Sequence, residues 1–210
     1  MEEAKRFLRY VMPGMAFLIQ FAVVYILEPP KFILCRNFKE ISEIGIALSA
    51  ILVAGVIGYM ASNLYYVLHW KVYMNLGRKL DYKHIVSETI PTKDLQKYRF
   101  EYTCSNQSEA WALLNVYWNV EGDKEFPKVQ DANASTANIL HSIGTTIILL
   151  LIGSVLGAIY LCAKETIIIG YTIINIVIVT ILCWNYQIVA KMLQQLYLNT
   201  YRSIKHSPVA

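Results

Sequence analysis

Histidine and arginine are the side chains here best suited to acid–base or phosphate chemistry, and they are thinly spread. His69, His84, His141 and His206 have no second histidine or cysteine three or four residues away, the spacing that sets two ligands on one helix face. No H-E-x-x-H, C-x-x-C, phosphate-cradling glycine loop or G-x-S-x-G occurs. One pair stands within reach of a reaction: Arg78 and His84, with five residues between them. A guanidinium can stabilise phosphate while an imidazole moves protons, which is the chemistry of RNA cleavage. Asp81, however, is as good a local partner for Arg78, and a solvated turn is the plainer reading. The expectation is a non-enzyme with no metal site and no cofactor.

The remaining polar side chains of interest lie inside long apolar stretches. Gln20, Asn63 and Asn175 head this group, with His69, Asn138, His141, Thr145, Thr146, Asn185 and Gln187 behind them. Such residues form interhelical hydrogen bonds or line a water-filled pore. No carboxylate or basic group lies deep in any of these stretches, which disfavours proton- or ion-coupled transport.

The stretches themselves set the class. The chain has 210 residues, 56% apolar and 16% charged, against about a quarter charged in a soluble domain. Between Asp131 and Lys191 only Lys164 and Glu165 carry charge. Roughly 20 apolar residues cross a bilayer core as a helix. Four segments qualify: Tyr10–Leu27, Ile44–Trp70, a third within Ala132–Ala163, and Thr166–Ala190. The first has a basic flank but a long apolar run, and no small-x-small cleavage site precedes Glu28, so it reads as an uncleaved helix. The fold expected is an all-α integral membrane protein: a transmembrane hairpin over 1–70, a mainly helical insert over 71–136, and a second hairpin with a tail over 137–210.

Four spans put both termini and the insert on one side, and 15 of the 19 Lys and Arg residues fall there. The other four are Lys31, Arg36, Lys39 and Lys164. The positive-inside rule then makes that side cytoplasmic, in a multi-pass protein of the cell membrane. Of the cysteines, Cys162 and Cys183 lie in spans, Cys104 falls on the cytoplasmic side and only Cys35 faces outward, so no disulfide framework is available. The net charge of +4 answers to anionic lipid and topology, and no direct nucleic-acid binding is expected.

The insert carries nine basic and nine acidic residues and is small for an independent core. Asn106 with Glu109 has the capping-box spacing and opens an apolar helix, EAWALLNVYWNV, over Glu109–Val120. Apolar on most of its circumference, that helix should be buried on several sides or lie in the membrane interface. Trp111, Tyr117 and Trp118 are its candidates for gripping a partner. Pro127 suits the first turn of a helix that flows into the third span.

Ala50, Ala54, Gly58 and Ser62 recur every four residues along one stripe of the second span, with Gly55 beside it. The third span has Gly153-x-x-x-Gly157. Stripes of this kind let helix backbones approach closely. The packing expected is second span on third within one chain, or an interface between copies. Pro13-Gly14 marks a kink that serves packing or, in a channel, a gate.

At the level of architecture the chain resembles the small four-span accessory proteins found beside RNA-targeting type VI-B CRISPR loci, and other small prokaryotic membrane effectors of defence. Length, four spans, cytoplasmic termini, small-residue stripes and a modest insert carry that likeness, and no motif does. It implies a self-associating, pore-forming or membrane-perturbing effector whose insert receives a cytoplasmic protein or small-molecule signal. A membrane adaptor that docks a cytoplasmic partner without conducting is the alternative. The Arg78–His84 pair is similar to the active site of HEPN ribonucleases, one residue longer in its spacing, and leaves a membrane-tethered nuclease as a remote third.

Overall fold

The computed structural model describes residues 2–28, 43–70, 80–90, 106–118, 127–162 and 165–206. Among them the chain is helical throughout: α1 Glu2–Leu27, α2 Glu43–Leu68, α3 Tyr82–Thr89, α4 Gln107–Tyr117, α5 Pro127–Tyr160 and α6 Glu165–His206. Four of these, α1, α2, α5 and α6, are long and apolar enough to cross a membrane. Side chains such as Ile26, Leu52, Met60, Ile159 and Ile174 are well exposed along them, the arrangement that a lipid surrounding would require.

Two helices are longer than a bilayer crossing needs. At 42 residues, α6 is about 63 Å long at 1.5 Å per residue, and α5 has 34 residues. The sequence ends the fourth apolar segment at Ala190, because Lys191 follows. The helix continues regardless, since backbone hydrogen bonding is indifferent to where lipid stops. Pro127 does open α5, which runs unbroken into the third apolar segment.

The chain divides into two compact units. Unit 1 comprises residues 1–65 and 139–186, and unit 2 comprises 66–138 and 187–210. In unit 1, α1 and α2 meet without side chains between them. A Cβ placed on Gly14 would collide with the backbone of Ala54, and one on Gly58 with the backbone of Tyr10. The edge-to-face pair Tyr10–Tyr59 closes the same seam at 5.5 Å. The stripe on α2 is thus filled by α1 at Ala54 and Gly58, and at its end Ser62 bonds His141 of α5. The sequence paired it with the third span, because nothing in a single helix says which neighbour fills a groove.

Unit 2 has a core of its own. Leu80, Ile85, Val86 and Ile90 from the α3 region, Ala110, Leu113 and Leu114 of α4, and Leu193 and Leu198 of α6 are all buried there, and α3 packs directly on α4. Its aromatic side runs Trp70 on Tyr82 (5.9 Å), Tyr82 on Tyr197 (6.0 Å), Tyr197 on Tyr201 (6.1 Å), and Tyr201 on Tyr117 and Trp118 (6.2 and 6.1 Å).

Candidate functional site

Three helices of unit 1 converge on one carboxamide. Gln20 of α1 is 7% exposed, and its Nε2 donates to Asn175 Oδ1 of α6 at 2.6 Å. The same nitrogen lies 3.1 Å from Ser154 Oγ and 3.2 Å from the Leu150 carbonyl, both on α5. Asn175 is held in turn, its Nδ2 donating to the Tyr171 carbonyl at 2.8 Å, and the Tyr171 hydroxyl donates to the Gly153 carbonyl at 3.0 Å. Gly153 admits this arrangement, because a Cβ there would occupy the place of the Gln20 amide. Gly157 likewise yields to the Tyr171 ring. Hydrogen bonds of this kind join helices where lipid offers no polar partner.

Beside the cluster lies a lateral groove of about 590 Å³ between α1 and α6, with Gln20, Asn175 and Tyr171 in its wall and Ile19, Val23 and Ile174 at its exposed rim. Its lining is almost wholly apolar, so its chemistry is that of an acyl chain or another hydrocarbon. A second polar contact ties α2 to α5, where Ser62 Oγ meets His141 Nε2 beneath the edge of Tyr65. The Tyr65 hydroxyl bonds that of Tyr186 at 2.8 Å. An alcohol bonded to imidazole is how a nucleophile is activated. Here both groups are enclosed, at 5% and 8% exposure, and the contact serves to join helices.

In unit 2 the polar side chains are spent on helix ends. Asp81 caps α3, its Oδ1 accepting from the His84 amide at 3.1 Å and from Gln107 Nε2 at 2.8 Å. Gln107 Oε1 accepts from the Tyr82 and Lys83 amides at 2.8 and 3.3 Å. Gln194 of α6 closes the ring, Oε1 accepting from the Asp81 amide at 2.8 Å. These are the orphan donors that every helix start leaves. Arg202 Nη2 donates to Glu88 Oε2 at 2.6 Å, and the Tyr201 hydroxyl to the Leu114 carbonyl at 2.9 Å.

The candidates drawn from the sequence are distributed as follows. Gln20 and Asn175 are brought together. Asn63 is exposed and donates to the Tyr59 carbonyl one turn back. Ala54, Gly58, Ser62, Gly153 and Gly157 are buried within the chain, and Ala50 is half-buried. Of the aromatic trio on α4, only Trp111 is exposed. Tyr117 and Trp118 turn inward, at 4% and 5% exposure, because Tyr201 needs both rings to cover it. Tyr117 and Trp118 are therefore withdrawn from the surface on which the sequence reading placed all three. His84 stands exposed in the first turn of α3, 3.9 Å from Glu88, while Arg78 lies outside the described residues, as do Cys35 and Cys104. Among the described residues no group of histidines, cysteines and acids is placed to hold a metal. Gln107, Gln194 and Tyr201 escaped the sequence reading, since their partners lie far away in the chain. No protein-family model, no curated protein and no solved structure matches the chain.

Proposed function

We propose that the chain is a non-enzymatic, four-span membrane anchor that presents unit 2 to a cytoplasmic partner. The observation carrying this reading is the burial of Gln20 against Asn175 and of the Ala54–Gly58 stripe against α1. Gln20 bonds Asn175, and the Ala54–Gly58 stripe is occupied by α1. These contacts favour packing within one chain over an interface between copies, with Gln20 Oε1 buried beside the cluster as its one unpartnered oxygen among the described atoms of Gln20 and Asn175. Residue pairing supports the first hairpin: Tyr10 meets Gly58 while Gly14 meets Ala54, so numbers rise in one helix as they fall in the other. Both termini and the insert face the cytoplasm by the positive-inside rule. The architectural likeness to defence effectors would make unit 2 the receiver of a cytoplasmic signal.

Self-association with conduction is the competing reading, and it requires Gln20 and Asn175 to part and face water. Purified protein is expected to pass no ions in liposomes and to have monomer mass in detergent, and a reporter fused after Ala210 is expected to read as cytoplasmic in cells. Flux from an assembled oligomer would replace the anchor with the pore.

A further inference from the structure

The outer surface of α4 and the end of α2 form a shallow pocket of about 360 Å³ in unit 2, lined by Tyr66, Val67, Trp70, Ser108, Trp111 and Ala112. Two of these fix its height. Tyr66 and Val67 belong to the last turn of a helix apolar and long enough to cross a membrane, which ends at Leu68. A side chain at the end of a span lies at the boundary between hydrocarbon and headgroups, where Trp and Tyr are favoured. Because Ser108, Trp111 and Ala112 face the same pocket, the first two turns of α4 are brought to that boundary.

The composition of α4 fits the same layer. Its inner face, Ala110, Leu113, Leu114 and Tyr117, is buried. The outward residues Trp111, Asn115 and Val116 are exposed, and beyond the exposed Glu109 of its first turn the helix carries no charged side chain. Water-facing helix surfaces carry charge, whereas an uncharged face bearing an indole and small polar groups suits the ester and headgroup level of a bilayer. Trp111 sets its ring edge against Trp70 at 5.8 Å, and Tyr66 stands 6.0 Å from Trp70, so the aromatic wall runs unbroken from span to α4.

We infer that α4 is an interfacial anchor: its Trp111 face lies in the headgroup–ester layer, and the aromatic pocket receives the glycerol-ester region of a membrane phospholipid. This rests on the reading that α2 crosses the membrane. The role differs from that of a protein-docking surface, since Trp111 is then occupied by lipid.

Depth-resolved fluorescence quenching tests it in the full chain, reconstituted in phosphatidylcholine–phosphatidylglycerol vesicles. The emission lost in Trp111→Phe reports Trp111, and that lost in Trp184→Phe reports an exposed indole of α6 within its apolar segment. Bromines at acyl carbons 6 and 7 are expected to quench the Trp111 component at least about two-fold more than bromines near the chain end, with aqueous iodide ineffective. Quenching by iodide alone, or by neither agent, would show water or a protein against Trp111 and overturn the inference. Deeper bromines quenching best would overturn it too. Val116→Trp, on the same exposed face, supplies an added reporter if Trp111→Phe fails to fold. Trp184 separates the two readings: lipid quenching of Trp184 without Trp111 rejects the interfacial helix only, and no lipid quenching of either rejects the spans as well.

Discussion

At the scale of single residues, the glycines of the spans differ in what they admit. Gly153 gives its Cβ space to the Gln20 amide, whereas a Cβ on Gly170 would meet nothing within 4 Å. Gly153→Ala must therefore displace a carboxamide held by α5 and α6, and overpacking of this kind costs about 1–3 kcal/mol. Gly170→Ala should be neutral or slightly stabilising, because alanine is the better helix former. The penalty at 153 is expected to shrink when Gln20→Ala is added, since the colliding group is then gone. Equilibrium unfolding in mixed micelles reads all four variants. Equal losses at 153 and 170, or no relief from Gln20→Ala, would sink the account. Residue types announced that Gln20 and Asn175 need partners, because an amide in hydrocarbon must find one. That they choose each other was not legible: 155 positions separate them, and only the assembled bundle closes that gap.

Among the elements, those with local causes could be read in advance. Asn106 Oδ1 accepts from the Glu109 amide at 2.9 Å, the N-cap bond that a spacing of three residues implies, and Asn106 Nδ2 donates to Glu109 Oε1 at 2.8 Å, side chain to side chain. Asn106→Ala should cost about 1 kcal/mol, the usual worth of a cap. The loss should appear as faster amide exchange in the first turn of α4, and unchanged exchange there would contradict the cap. The start of α3 was less legible. Asp81 caps the His84 amide locally, but the Tyr82 amide is met by Gln107 from 25 residues away and the Asp81 amide by Gln194 from 113 residues away, so a sequence window contains only part of the cause. The all-round apolar pattern of α4 was equally ambiguous between core and interface. Burial of Leu113, Leu114 and Tyr117 beside exposure of Trp111 and Val116 divides that face, and periodicity alone could not place the dividing line.

On the scale of the whole molecule, α5 and α6 each supply residues to both units, so a change in one unit need not stay there. The Tyr201 hydroxyl tests whether it does. It joins α6 to α4 by donating to the Leu114 carbonyl, inside the unit 2 core. That carbonyl also accepts from the Trp118 amide, so removing the hydroxyl leaves the acceptor partnered. Tyr201→Phe should then cost about 1 kcal/mol, the net worth of one such bond, rather than the larger penalty of an orphaned group. If unit 2 opens as one cooperative body, amides of α3, α4 and the last turns of α6 should all exchange about five-fold faster in the variant, following the same free energy. Amides of residues 9–27 and 166–186, in segments apolar enough for the bilayer, should keep their rates because water does not reach them there. Hydrogen exchange in lipid nanodiscs distinguishes the outcomes. Acceleration confined to the end of α4 would make the bond merely local. Acceleration across the spans as well would mean that the two units open together, and that unit 2 cannot change state without loosening the anchor.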